Sequence, residues 1–274
     1  MTIENTTIQA TTTATEKKRG WAGKLLRIAL VTGFVLVVGL FTAHVAWKRS
    51  GSGKWQLAID KGGIQVYTMK APGSTLEQFR AVGRAKTSLQ HVVAVFTDPS
   101  LQHCNDWMHD CLVSSIVEPW NAEGHYWVAL YRAEVGWPFS QREFVVKIHF
   151  SQDPQTKTLF IDVTDVPEIP SDKCCVRVRI HNRWRWTPLK NGEVEVEVLD
   201  NFDAGIPYVL HNAQAQPLWG IMSSVPGLMD REKYPENDSD QKLNFVQEPA
   251  TETVGAESCE PNTAGCQPLR HAAK

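Results

Sequence analysis

The densest group of side chains able to do chemistry lies in HCNDWMHDC, residues 103–111. His103, Cys104, His109, Asp110 and Cys111 are the residue types that hold zinc, but their spacing matches no common zinc site. On a single helix Cys104 and Cys111 would stand two turns apart, about 10 Å, too far for a disulfide and awkward for one metal. Trp107 and Met108 would then join them in an apolar stripe. Cys174 and Cys175 are adjacent, where a mutual disulfide would be strained. Cys259 and Cys266 lie in a polar tract and would close a small loop only in an oxidising compartment. Asp165, Glu168 and Asp172 fall near loops and read as solvated. The chain has no G-x-S-x-G, H-E-x-x-H, P-loop or G-x-G-x-x-G. A polar pair remains that could orient a ligand: Asn182 and Asp200.

Two strands position this pair. In CVRVRIHNRWRWT one face carries Val176, Val178, Ile180, Asn182, Trp184 and Trp186, and the other carries Arg177, Arg179, His181, Arg183 and Arg185. In EVEVEVLDNF one face carries Val194, Val196, Val198, Asp200 and Phe202, and the other Glu193, Glu195 and Glu197. A two-residue turn at Asn191-Gly192 would pair Arg185 with Val198 and mix the faces. A three-residue loop over Lys190–Gly192, with Gly192 as a bulge, sets Trp186 opposite Val196, Trp184 opposite Val198 and Arg185 opposite Glu197. The basic face is then neutralised by its neighbour, so RVRIHNRWRW is not a nucleic-acid surface. A formal net charge of −2 excludes that class for the chain as a whole. In the same register Asn182 opposes Asp200 on the apolar face, where each must be satisfied by the other, by water or by a ligand.

The other elements are strands closed by one helix. Trp55–Met69 turns at DKGG, and Leu76–Arg84, Tyr126–Val135, Arg142–Phe150 and Leu159–Val166 follow as strands between Pro, Gly, Asn and Asp punctuation. SLQHVVAVFTD (88–98) is a short helix with Leu89, Val92, Val93 and Phe96 at helical spacing. The last element starts at Pro207, with Ile206, Leu210, Ala213, Pro217, Ile221, Val225 and Leu228 on one stripe and a kink expected at Pro217. This is an α+β pattern: an antiparallel sheet and a terminal helix.

The ends differ from this domain. Residues 1–24 are polar, threonine-rich and basic-ended, and are expected to be disordered. Residues 25–47 are expected to form a transmembrane helix. From Ile28 to Trp47, twenty residues span about 30 Å, and Ile, Leu, Val and Phe dominate. Trp21 and Trp47 bracket the segment as interfacial aromatics do. A cleavable signal peptide fits less well, because cleavage after Ala46 would set His44 three residues from the cut. Lys17, Lys18, Arg19, Lys24 and Arg27 precede the span, while Lys48, Arg49 and Lys54 follow it. This bias places the domain on the non-cytoplasmic side, the periplasm in a bacterium. Residues 48–231 form one nearly neutral domain, and 232–274 form an acidic tail expected to be disordered.

Five segments occur together in order: WQLAIDKGGIQVYT (55–68), FRAVGRAKTSLQHVVAVFTD (79–98), WPFSQREFVV (137–146), RWRWTPLKNGEVEVEV (183–198) and DAGIPYVLHNAQAQPLWGIM (203–222). Together they resemble the START family, the steroidogenic-acute-regulatory-protein-related lipid-transfer domains, over roughly 53–231. The most specific parts are the aromatic-Pro-x-Ser-x-Arg-acid-Phe run and the Gly-Ile-Pro that opens the last helix. Glu143 stands where aspartate is commoner, and Ala204-Gly205 where a glycine pair is usual.

The resemblance implies a helix-grip fold, a curved antiparallel sheet wrapped around a long C-terminal helix, with a hydrophobic tunnel for one lipid between them. Strand alternation and the helical stripe then put Arg142, Asn182, Trp184, Trp186, Val196, Val198, Asp200, Phe202, Leu210, Ala213 and Ile221 on the tunnel lining, with Ala213 and Gly220 small enough to leave room. The expected partners are a lipid or other hydrophobic small molecule and a membrane, with no nucleic acid, no cofactor, no metal and no catalytic residue. Transfer then needs no chemistry: the tunnel shields the chain from water at about 0.8 kcal/mol for each CH₂ kept dry. The alternatives are a polyketide cyclase or aromatase-like enzyme on the same fold, using Asn182, Asp200 and Arg142, and a membrane-anchored sensor or scaffold with a closed tunnel.

Overall fold

The computed structural model describes residues 9–98, 100–108, 110–171, 173–229 and 244–249. Cys259 and Cys266 lie outside these. A long helix, α1 (Gln9–Arg49), takes in part of the N-terminal tract that composition marks as unstructured. Its stretch Gly23–Arg49 is long and apolar enough to cross a bilayer, with a mean hydropathy of 2.3.

The domain that follows is a single sheet with helices on one face. Its strands are β1 (Gln56–Lys61), β2 (Ile64–Met69), β3 (Gln78–Ala85), β4 (Cys111–Asn121), β5 (Tyr126–Ala133) and β6 (Arg142–Gln152). They continue with β7 (Leu159–Asp165), β8 (Val176–Arg177), β9 (Arg179–Pro188), β10 (Val194–Asp200) and β11 (Phe202–Asp203). The spatial order is β1-β2-β3-β10-β9-β7-β6-β5-β4, with β8 beside β6 and β11 beside β9. All pairs are antiparallel except β6–β8. The helices are α2 (Leu89–Phe96), α3 (Leu101–Trp107), α4 (Tyr208–His211) and α5 (Ala215–Leu228). This is the helix-grip architecture, with the long C-terminal helix held by the sheet.

The central hairpin has the expected register: Val196 faces Trp186, Glu197 faces Arg185 and Val198 faces Trp184. Gly192 sits at φ +77° in the loop, a conformation that a side chain disfavours. Acids meet the basic face of β9, Glu197 with Arg185 and Arg80, and Asp162 with Arg183 at 2.6 Å. Near the other end, α5 packs on β2 and β3. A Cβ at Gly83 in β3 would meet Met222 Cε at 3.3 Å, so glycine there lets the helix approach.

Three features differ from expectation. The terminal helix is two helices, and the break falls at Asn212–Gln214, ahead of Pro217. Asn212 is pulled out of helical duty: its Oδ1 accepts from Glu77 N–H at 3.0 Å and its Nδ2 donates to Thr75 O at 3.3 Å. Pro217 then falls in the first turn of α5, where a missing N–H costs no intrahelical bond. Next, residues 103–111 are not one helix. α3 ends at Trp107, the chain reverses through Asp110 at φ +55°, and β4 begins at Cys111. The reversal brings the Cα atoms of Cys104 and Cys111 to 6.0 Å, and the two form a disulfide. Cys174 and Cys175 are likewise paired. Last, part of the acidic tail is seated on the domain. Phe245 stacks on His125 at 4.2 Å, and Gln247 exchanges two 2.8 Å hydrogen bonds with Gln152.

The Cys104–Cys111 link closes a short loop, so its loss should cost about 2–3 kcal/mol, chiefly by freeing the unfolded chain. Urea unfolding of Cys104→Ser/Cys111→Ser beside the parent checks this; an unchanged midpoint would contradict it.

Candidate functional site

A cavity of about 590 Å³ lies between the concave face of the sheet and the helices. The sheet supplies Tyr131 from β5, Phe144, Val146 and Ile148 from β6, Val163 from β7, and Ile180, Asn182, Trp184 and Trp186 from β9. Asp200 and Phe202 close the β10 end. From α5 come Pro217, Leu218, Gly220, Ile221, Ser224, Val225 and Leu228. The α2–α3 segment adds Val95, Phe96, Asp98, Asn105, Asp106, Trp107 and Met108. The walls are mostly apolar, as in small-molecule sites generally. Aromatic rings set their shape: Phe96 packs edge-on against Trp184 and Trp186 at 5.5 and 6.1 Å, and Trp107 against Tyr131 at 5.2 Å.

Of the residues put forward from the sequence, Asn182, Trp184, Trp186, Asp200, Phe202 and Ile221 line this cavity together. Five do not. Val196 and Val198 share the face of Trp184 and Trp186 but are buried in the solid core nearer β3. Leu210 and Ala213 are exposed, because the break after α4 turns that stretch outward. Arg142 is buried on the correct strand, but its guanidinium donates to Ala204 O at 2.5 Å and to Ser140 O. It ties the start of β6 to the segment leading into α4.

Helix α2 was expected over 88–98, but its place on the cavity wall and helix α3 were not, since reading 103–111 along one helix hides the turn at Asp110. Phe144, Val146 and Ile148 of β6 were not put forward either, although they alternate on one face as Trp184 and Trp186 do.

Polar groups in the cavity are few and fixed. Asn182 Oδ1 accepts from Asn201 N–H at 2.9 Å, which leaves its Nδ2 hydrogens for other partners. Burial raises the Asp200 carboxyl to about 6, with the Asn182 amide pulling the other way. Burial and the charge of Asp98 raise the Tyr131 hydroxyl, so it stays protonated. Because Asp200 titrates higher in the fold than unfolded, the native state binds the extra proton and stability falls as pH rises from about 4 to about 6. Asp200→Asn should therefore match the parent near pH 4 and exceed it by about 1–3 kcal/mol at pH 8. Paired urea unfolding curves in mild detergent read this difference, and a pH-independent difference would contradict it.

With this geometry in hand, comparison with known proteins is informative at the level of structure. No family model matches the sequence, and curated proteins give no match. Solved structures do. The STAR-related lipid transfer protein of Xanthomonas axonopodis aligns with 65% of this chain and 99% of its own, at TM-score 0.58 and 25% identity. Human STARD10 aligns with 69% of this chain and 77% of its own, at TM-score 0.57 and 14% identity. Human StAR-related lipid transfer protein 5 aligns with 74% and 98%, at TM-score 0.55 and 14% identity. The domain is thus START-like, with the helix-grip fold of the STAR-related lipid-transfer proteins. In this chain that domain follows one N-terminal apolar helix of membrane-spanning length.

Proposed function

We propose that the chain binds a single lipid, or another hydrophobic small molecule, in its internal cavity and carries it to or from the membrane that α1 spans. The observation that carries this reading is the 590 Å³ cavity walled by aromatic and aliphatic side chains. Its wall lets a lipid chain leave a bilayer without meeting water, at about 0.8 kcal/mol per CH₂ shielded. No reaction is needed. Arg142 is committed to backbone carbonyls, so the polar trio that a cyclase or aromatase would use does not converge.

Contacts between α1 and the domain support tethering. Trp47 stacks on Tyr208 of α4 at 6.1 Å, its indole N–H donates to Thr75 O at 3.0 Å, and Lys70 lies 4.7 Å from its ring. Val209 and Leu210, next to Tyr208, are exposed. With α1 in a bilayer, this contact would hold α4 and its two apolar side chains against the same surface. Two disulfides in the domain favour an oxidising compartment, in agreement with the charge bias around the span.

The test is transfer of labelled lipid from donor vesicles holding the full chain to acceptor vesicles. The expected result is transfer that scales with protein and is lost on blocking the cavity. Transfer no faster than from protein-free vesicles would overturn the proposal. For sidedness, a membrane-impermeant thiol reagent applied with a reductant to intact cells should label Cys174, which is exposed, whereas Cys104 and Cys111 are buried. Labelling only after lysis would place the domain in the cytoplasm.

A further inference from the structure

Four consecutive residues of the acidic tail each meet a partner of matching chemistry on the domain. Phe245 is the one phenylalanine in residues 232–274. Its ring stacks on His125 at 4.2 Å, with Trp120 at 6.2 Å and Phe150 edge-on at 6.4 Å. These rings come from the end of β4, the turn before β5 and the end of β6, and form a slot at one end of the sheet. Val246 is 4% exposed and belongs to the core. Gln152 pairs its side-chain amide with the backbone of Gln247, donating to the carbonyl and accepting from the N–H, both at 2.8 Å. The side-chain carbonyl of Gln247 accepts from Lys157 Nζ at 2.7 Å. Glu248 Oε1 accepts from Gln90 N–H, in the first turn of α2, at 2.8 Å.

Each contact reads a different property. The slot selects a flat ring. The Gln152 amide holds one peptide unit whatever its side chain, and Lys157 selects a side chain with an acceptor. The start of α2 selects a carboxylate. That helix has no acidic residue in its own first turn, and its cap, Ser88, accepts from His91 N–H. Glu248 therefore supplies from the tail the negative charge that a helix start favours. None of Gln90, Trp120, His125, Phe150, Gln152 and Lys157 lines the cavity. The two places are joined by α2 itself. Its eight residues span about 12 Å, and at the far end Val95 and Phe96 form part of the cavity wall.

We infer that the slot is a peptide-binding site, separate from the cavity, which takes a linear Phe-aliphatic-Gln-Glu segment. The chain's own residues 245–248 are its tethered ligand, and they fasten the start of α2. Anchoring by one aromatic ring, with backbone pairing and a charged end, is how domains commonly hold linear peptides. The inference goes beyond the carrier reading and stands whether or not the cavity holds lipid.

The probe is a fluorescent peptide of residues 242–250, added to the full chain in phosphatidylcholine nanodiscs and corrected for its binding to empty nanodiscs. In the parent the tethered segment competes at an effective concentration on the order of mM. Phe245→Ala in the chain removes the anchor and vacates the slot. The peptide is expected to bind this variant at least about tenfold tighter than the parent, and a peptide carrying Phe245→Ala to bind at least about tenfold weaker. Hydrogen exchange over residues 88–97 should speed up in the variant and return towards the parent rate when the peptide is added. Glu248→Ala is the second variant, altered at an exposed side chain, and it decides the matter even if Phe245→Ala does not fold. It should speed exchange at the start of α2 about threefold or more and leave β4 and β5 at parent rates. A peptide that binds parent and Phe245→Ala alike, or no better than its own alanine form, would overturn the site. Unchanged exchange at α2 in Glu248→Ala would overturn the fastening of that helix.

Discussion

Replacing Gly220 with tryptophan is expected to abolish lipid loading without unfolding the domain. Gly220 lines the cavity from α5, and a Cβ built there meets nothing within 4 Å. An indole at that position has free space to occupy and displaces ligand rather than protein. Displacing three or four methylenes forfeits about 3 kcal/mol of shielding, roughly a hundredfold in affinity. The helix gains at the same time, because glycine in a helix interior is about 0.5–1 kcal/mol worse than alanine. Gly220→Ala is therefore the matched control: it should bind lipid as the parent does and unfold at slightly higher urea. Extraction of labelled lipid from vesicles reads binding, and unfolding in parallel reads the fold. Undiminished extraction by Gly220→Trp would mean that the ligand lies elsewhere.

The largest loss of stability is expected at Glu143. Its side chain is almost fully buried, 1% exposed, and joins Arg132 and Arg177 at 3.0 Å each and Ser171 at 2.9 Å. Burial pushes its carboxyl up, but hydrogen bonds from Ser171, Arg132 and Arg177 and the charge of Arg177 together hold it below the usual range. Through these bonds one side chain ties β5, β6, β8 and the loop after β7. Glu143→Ala takes the carboxylate away from two guanidinium groups, while Arg177 keeps Val166 O and Ile169 O, at a cost of about 3 kcal/mol. A depressed carboxylate stabilises above its ordinary pKa and loses that contribution as pH falls through its folded value. The variant's deficit should thus be full at neutral pH and shrink in strong acid. Glu143→Asp, which restores the residue commoner in START domains, is one methylene short of both arginines and should fall between the two. Urea midpoints at pH 7 rank the three, and an alanine variant as stable as the parent would contradict the role given to this network.

Much of the fold was legible because its central hairpin has clean alternation. Val, Ile and Trp alternating with Arg on β9, and Val alternating with Glu on β10, permit one register that separates the faces, and the loop at Lys190–Gly192 follows from it. The same alternation located Asn182, Trp184, Trp186, Asp200 and Phe202 on the cavity wall. It located Val196 and Val198 on the same face as well, but which part of a face is cavity and which is core depends on where α5 crosses the sheet. That crossing is set by Gly83 and by the break at Asn212, both long-range effects. β4 escaped notice because it is an edge strand with Pro119 and three irregularities of register, so its pattern is neither period two nor helical. The Cys104–Cys111 bond escaped because spacing was measured along a helix that ends at Trp107. Arg142 is the clearest limit of pattern reading. Its strand face was right, yet its guanidinium bonds to Ala204, 62 residues further along the chain.

The central claim is that the cavity holds one lipid, and native mass spectrometry of the full chain tests it most directly. The protein is extracted from its membrane in a mild detergent that is stripped in the gas phase, and any ligand released is identified. The account predicts a one-to-one adduct of a single lipid, present in the parent and in Gly220→Ala and missing from Gly220→Trp. A parent chain that emerges empty, and that takes up no lipid when returned to vesicles, would contradict it.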